Sequence, residues 1–137
     1  MIRKASDSHL AIHFKGAYDY KDISTVLSNI DVLVVPSIWY ENSPLVIHEA
    51  FLAGIPVIAS NLGGMAELIT HRKNGLLFEP GNIDDLIDKM NIFIRNPSLV
   101  QEYSQKTKVR SIKEDVGEIL RIYESLLKKE EINQIAS

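Results

Sequence analysis

A chain of 137 residues, 45% hydrophobic and 24% charged, has the size and composition of one folded domain and not of a disordered tail. Its net charge of -3, from 15 Lys and Arg against 18 Asp and Glu, gives no electrostatic reason to expect general nucleic-acid or anionic-membrane binding. The absence of cysteine excludes disulfides and thiolate chemistry, and the longest apolar stretch, 50–59, is broken by Gly54 and Pro56 well short of the roughly 20 residues that span a bilayer.

The opening MIRKASDSHLAIHF reads as neither a secretion signal nor a transit peptide, so a cytoplasmic location is expected. Short apolar runs then alternate with segments of helical spacing. The run 10–14 is read as a strand, and Ile23, Val26, Leu27 and Ile30 recur at the intervals of a helix. The run 32–35 predicts a second strand, ending at Pro36. Ser43-Pro44 reads as an N-cap followed by proline in the first helical position, and the helix continues to Ala53, where Gly54 stops it. Runs 56–59 and 75–78 predict two further strands, with a short helix opening near Met65 between them. The alternation predicts an α/β fold with a mostly parallel sheet, because parallel strands need crossover connections, and places ligands at the carboxyl ends of the strands.

After Pro80 the pattern is helical only. Leu86, Ile87, Met90 and Ile94 mark a helix over 84–94, Asn96-Pro97 breaks it, and Ser98 is placed to cap a second helix through about Lys108. A third is expected over about 112–129, with Val116, Ile119, Leu120, Tyr123 and Leu127 at helical spacing and its charges forming a solvated face. The tail from Glu130 is expected to fray.

The informative stretch is PSIWYENSPLVIHEAFLAGIPVIASNLGG, 36–64. At about 100° per residue, Leu45, Val46, Ile47, Ala50, Phe51, Leu52 and Ala53 cover nearly the whole circumference of the helix, which predicts that it is buried. Glu49 lies between the directions of Leu45 and Ala53, so its carboxylate is expected in apolar surroundings, where it must find donors. Its side chain leans toward the helix start, beside the ligand-binding edge of the sheet, and a pair of vicinal hydroxyls suits its two accepting oxygens. Glu41 faces the same crevice. The plainer alternative stays open: Glu49 pairs with a local lysine or backbone amide, and Glu41 merely favours a helix N-terminus. The backbone amides of Ser43, Leu45 and Val46 form an anion site without a basic side chain, and Gly63 and Gly64 permit close approach of the next loop to a ligand. His9, His13, His48 and His71 show no recognisable ligand spacing, and there is no Asp-x-Asp pair; His48 and His71 are read as structural or exposed.

With Glu41 and Glu49 separated by seven residues, between a strand ending in Pro-Ser and a Gly-x-Pro-Val turn, the sequence resembles the nucleotide-sugar half of the retaining GT-B glycosyltransferases of family 4, the glycosyl transferases group 1. Flanking features match it too: FKG at 14–16, GGMAE at 63–67, NGLLFEPGN at 74–82 and RIYESLL at 121–127. The resemblance covers almost the whole chain, from about Leu10 to Leu127.

It implies a Rossmann-like donor domain, read here as a partial C-terminal domain over 1–137, with an αβ part at about 9–80 and an all-helical part at about 82–130. Glu49 then holds the ribose hydroxyls, and Glu41 contacts the transferred sugar as the catalytic candidate. The backbone of Asn42, Ser43, Pro44, Leu45 and Val46 meets the sugar and diphosphate. Gly16, Ala17 and Tyr18 lie near the nucleobase, and Gly63 and Gly64 line the cleft. The implied substrate is a nucleoside-diphosphate sugar, with no metal and no other cofactor. Two upstream strands and an acceptor domain are expected to be missing. The fragment is therefore expected to be inactive alone and to self-associate through exposed sheet edges, while the full-length protein works in the cytoplasm or peripherally at the inner membrane face, in polysaccharide or lipopolysaccharide assembly. The competing readings are a GT-B sugar-nucleotide epimerase or phosphorylase-like protein, a non-catalytic nucleotide-sugar binding module, and a helical interaction domain in which both glutamates are structural.

Overall fold

The run Val57–Ser60 is buried along its whole length, so it needs cover on both faces of whatever sheet it joins. The computed structural model describes residues 12–109 and 112–135 and supplies that cover. Three parallel strands, β1 (Leu33–Val35), β2 (Val57–Ser60) and β3 (Gly75–Phe78), lie in the order β1-β2-β3 with β2 central. Leu33 is in register with Val57, and Val57 with Gly75.

Helices follow the strands. A 3-10 turn at Tyr20–Asp22 leads into α1 (Ile23–Leu27); α2 (Leu45–Leu52) and α3 (Gly63–Leu68) form the crossovers; α4 (Ile83–Arg95), α5 (Ser98–Ser104) and α6 (Ile112–Ile135) complete the helical part. The period-two alternation of β2 divides the core. Val57 and Ala59 join Leu27, Ile47, Phe51 and Met65 on one face, and Ile58 joins Leu76, Phe78, Phe93 and Tyr103 on the other. Phe93 and Tyr103 meet edge to face at 5.4 Å between ring centroids.

The expected stop at Gly54 takes a specific form. Gly54 adopts φ +74°, its N–H bonds to the Phe51 carbonyl at 3.1 Å, and the Ile55 N–H reaches the Ala50 carbonyl at 2.8 Å. This double closure reverses the chain directly into β2. At the start of α4 the Asn82 side chain accepts from the Asp85 N–H at 3.0 Å, and Asp85 accepts from the Glu79 N–H at 2.8 Å while pairing with Lys89.

Several expectations are corrected. Residues 12–14 form no strand, and the rest of the run 10–14 lies outside the described residues, so β1 is the margin of the described sheet. An apolar run without a neighbouring strand to pair with has no ladder to complete. α1 ends at Leu27 instead of Ile30. Ser98 is the first residue of α5, with Pro97 in the cap position and no side-chain cap bond. α6 continues through the tail read as frayed, to Ile135, and the apolar residues Val116, Ile119, Leu120, Tyr123 and Leu127 are exposed.

Two predictions arise from the sheet. The Ser60 hydroxyl, at the end of β2, is fully buried and has no hydrogen-bond partner among the described residues. Burying a hydroxyl unpaired costs about 1–3 kcal/mol, so Ser60→Ala is expected to raise stability by about 1 kcal/mol in urea unfolding. Destabilisation would reveal a partner for the hydroxyl.

The Leu77 N–H donates to Nδ1 of His71 at 2.9 Å, which requires that nitrogen to be unprotonated. Although His71 is exposed as a whole, partial desolvation of its ring, then the charges of Lys89 and Arg72, hold its pKa below the ordinary 6.5, against an opposing pull from Asp85. Because the folded value is depressed, the stability it contributes is complete above pH 6.5 and lost as pH falls through the lowered value. His71→Asn keeps an acceptor that does not titrate there. Wild type is expected to lose more stability than this variant between pH 7.5 and 5.5; equal losses would dismiss the linkage.

Candidate functional site

The carboxyl ends of β1 and β2 open onto two loops that are built against each other. The first, 36–44, carries Glu41. Its Oε1 accepts from the Ser37 hydroxyl at 2.6 Å, and its backbone carbonyl accepts from the Gly64 N–H at 2.8 Å. Ser37 is a site residue that sequence reasoning passed over, although its place in the Pro-Ser pair ahead of the first glutamate was visible.

Gly63 and Gly64 do permit a close approach, but Gly64 spends it on the protein itself. A Cβ on Gly64 would stand 1.8 Å from the Asn42 carbonyl oxygen, and one on Gly63, at φ +52°, would stand 3.0 Å from the Glu41 carbonyl and 3.1 Å from the Tyr40 ring. The two glycines thus serve a contact within the protein that the sequence reading did not include: the second loop packs onto the Glu41–Asn42 backbone and holds it.

At the start of α2 the expected cap is also different. Pro44 occupies the cap position with extended backbone, its carbonyl accepts from the Ile47 N–H at 3.0 Å, and no side chain caps the helix. The Ser43 hydroxyl, expected to do so, instead pairs with Nε2 of His48 at 2.8 Å. The amides of Leu45 and Val46 have no carbonyl behind them within the helix, so this end keeps two outward donors and the partial positive charge of the helix axis.

The burial of α2 is one-sided, which corrects the prediction of a helix buried all round. Ile47, Ala50 and Phe51 face the core, while Leu45 and Leu52 are 73% and 74% exposed. Glu49 shares the outer strip with them and is half-buried. It lines a groove of about 410 Å³ with Tyr20, Ile23, Leu27, Leu52 and Ala53. Its carboxylate has no hydrogen-bond or ion-pair partner among the described residues. The apolar surroundings expected for it are therefore present, but as an open groove and not a closed core.

A larger hollow of about 690 Å³, bordered by Ile30, Asp31, Gly54, Pro97 and Ser104, lies near the amino ends of β1 and β2 and contains neither glutamate. Gly16, Ala17 and Tyr18 lie on the exposed stretch 12–19; it is Tyr20, two residues further on, that borders Glu49. His13 is exposed and His9 lies outside the described residues. Among the described residues no three His, Asp or Glu are grouped to hold a metal ion, and no helix is long and apolar enough to cross a membrane.

The profile of the family described as glycosyl transferases group 1 matches residues 3–110. An uncharacterized glycosyltransferase of Haemophilus influenzae is 30% identical over 127 residues, 92% of this chain and 35% of that protein. The UDP-Gal:alpha-D-GlcNAc-diphosphoundecaprenol alpha-1,3-galactosyltransferase of Escherichia coli is 41% identical over 69 residues, 50% of this chain and 18% of its own. The crystal structure of Anabaena Alr3699/HepE in complex with UDP-glucose superposes with a TM-score of 0.70 at 26% identity, over 88% of this chain and 35% of that one. The chain thus spans about a third or less of the length of these relatives.

Proposed function

Because the chain belongs to the glycosyl transferases group 1 family, we propose that it forms the donor-binding part of a retaining glycosyltransferase that moves a sugar from a nucleoside diphosphate to a glycan or lipid-linked acceptor. The observation that carries this reading is Glu49: a half-buried carboxylate in an apolar groove, on the helix whose amino end is uncapped, without a partner among the described residues. A ribose supplies two hydroxyl donors to such a carboxylate, and the attached diphosphate suits the amides of Leu45 and Val46. Gly16, Ala17 and Tyr18 are assigned to the base, and the backbone of Asn42, Ser43 and Pro44 to the sugar and diphosphate. The UDP-glucose complex of the Anabaena protein supports a uridine sugar as the first donor to try.

In this reading Glu41 orients the transferred sugar and is not a nucleophile. The bond from the anomeric carbon to the diphosphate breaks, the bond to the acceptor oxygen forms on the same face, and the acceptor proton passes to a diphosphate oxygen. The amino end of α2 stabilises the charge that develops on the leaving group, so no metal is needed. A further domain of the intact protein is assigned the acceptor site, and its place of action is the cytoplasm or the inner face of the membrane. The E. coli relative supports a role in envelope polysaccharide assembly.

The intact protein, titrated with UDP-, GDP- and ADP-sugars, tests this. Sugar transfer with retained anomeric configuration is expected from one of the three. Binding without turnover would leave a nucleotide-sugar module, and no binding would remove the reading altogether. Turnover is expected to survive EDTA; loss that magnesium restores would overturn the metal-free mechanism.

A further inference from the structure

The loop ahead of Glu41 presents Ile38, Trp39 and Tyr40 at 68%, 64% and 81% exposure. Consecutive large apolar side chains are seldom left in water without a use. Nor is this a loose loop. It is tied at Glu41 through both the Ser37 hydroxyl and the Gly64 N–H, and the Tyr40 ring rests against Gly63. The rings are therefore displayed from a supported shelf at the carboxyl end of β1.

The neighbour of those rings decides what they suit. Glu41 Oε1 is occupied by Ser37, and Oε2 has no partner among the described residues. A lipid tail laid over the rings would bury that carboxylate against hydrocarbon, which is costly unless it is paired. A sugar ring meets both requirements: its C–H face covers an aromatic surface, and its hydroxyls donate to a carboxylate oxygen. This rests on the reading above, in which Glu41 touches the transferred sugar. The molecule that receives that sugar must then lie next to it, within reach of the exposed Trp39 and Tyr40 that immediately precede Glu41 in the loop.

We propose that Trp39 and Tyr40 form an acceptor subsite on this donor-side loop and hold the acceptor's terminal sugar ring beside Glu41. The loop then takes part in acceptor choice, a task the reading above gives to a further domain. Ring contact rather than hydrogen-bond pattern sets its contribution, so it favours any acceptor ring with a continuous C–H face.

The test uses the intact protein, the donor that supports turnover, and methyl glycosides of glucose, galactose and N-acetylglucosamine as acceptor probes. Trp39→Ala is expected to raise the acceptor KM about tenfold, the size of one aromatic contact, with the donor KM unchanged. Trp39→Phe restores most of the loss, and Tyr40→Ala shows a smaller effect of the same kind. Both side chains are exposed, so folding is expected to survive and is checked by thermal melting. An unchanged acceptor KM overturns the inference, as does an equal rise in donor KM. An effect confined to binding of phosphatidylglycerol vesicles overturns it in favour of a lipid contact. If wild type turns over none of the donors, the functional reading itself fails; if it turns over normally and only the Trp39 and Tyr40 effects are missing, the inference alone is lost.

Discussion

Gly64→Ala is expected to cut donor turnover at least about 100-fold, the scale on which a displacement of about 1 Å acts at a reacting centre. A Cβ there would meet the Asn42 carbonyl oxygen at 1.8 Å, the Asn42 carbonyl carbon at 2.5 Å and the Glu41 carbonyl oxygen at 2.9 Å. These are backbone atoms and not the end of a flexible side chain, so one of the two loops must move. Movement breaks the Gly64 to Glu41 hydrogen bond and carries the carboxylate away from its place beside Ser37. The fold is expected to pay about 1–3 kcal/mol as well, because Gly64 sits at the buried start of α3. Gly117→Ala is the matched control: it lies in α6, and the nearest atom to its Cβ is a guanidinium nitrogen of Arg121 at 3.9 Å. That change is expected to be neutral or slightly stabilising through helix propensity. Donor turnover and thermal melts of both variants decide the matter. A folded Gly64→Ala protein with wild-type turnover would show that the Glu41 loop needs no fixed position.

Glu49→Gln separates binding from folding. The carboxylate lines an apolar groove and has no partner among the described residues, so exchanging it for an amide breaks no bond there and is expected to leave stability unchanged. With donor bound, the same charge accepts from the ligand's hydroxyls, each bond to a charged group being worth about 1.5–3 kcal/mol. The donor Kd is therefore expected to rise by roughly 10- to 100-fold. A glutamate with an ordinary structural role gives the reverse pattern, lower stability and unaltered binding. Calorimetric titration with the active donor and urea unfolding of the same two proteins supply both readings.

Much of this was legible in the chain. The αβ alternation, strands within a residue or two of Val57–Ser60 and at Gly75–Phe78, and the stop at Gly54 are all local signals, carried by residues close in sequence. Hydrophobic spacing, a glycine able to adopt positive φ and a fixed interval between two acids require no knowledge of what packs where. The likeness to the glycosyl transferases group 1 was legible for the same reason, because its motifs are short and contiguous, and the profile match over 3–110 bears out that much.

The misreadings share the opposite origin. Leu45 and Leu52 are as apolar as Ile47 and Phe51, so nothing in the helix could tell which side would be covered; the sheet decided that, and left Glu49 on an open groove. Ser43 had the right chemistry to cap α2, but His48, one turn on, offered its hydroxyl another partner. Ile12 and Phe14 are apolar but join no ladder in the described sheet. The sequence by itself determined the kinds of element, their order and the identity of the two acids. Only the tertiary structure decided that Gly64 exists to seat the Glu41 loop, because that contact joins backbones more than twenty residues apart, and a local pattern holds no record of what the chain will later be folded against.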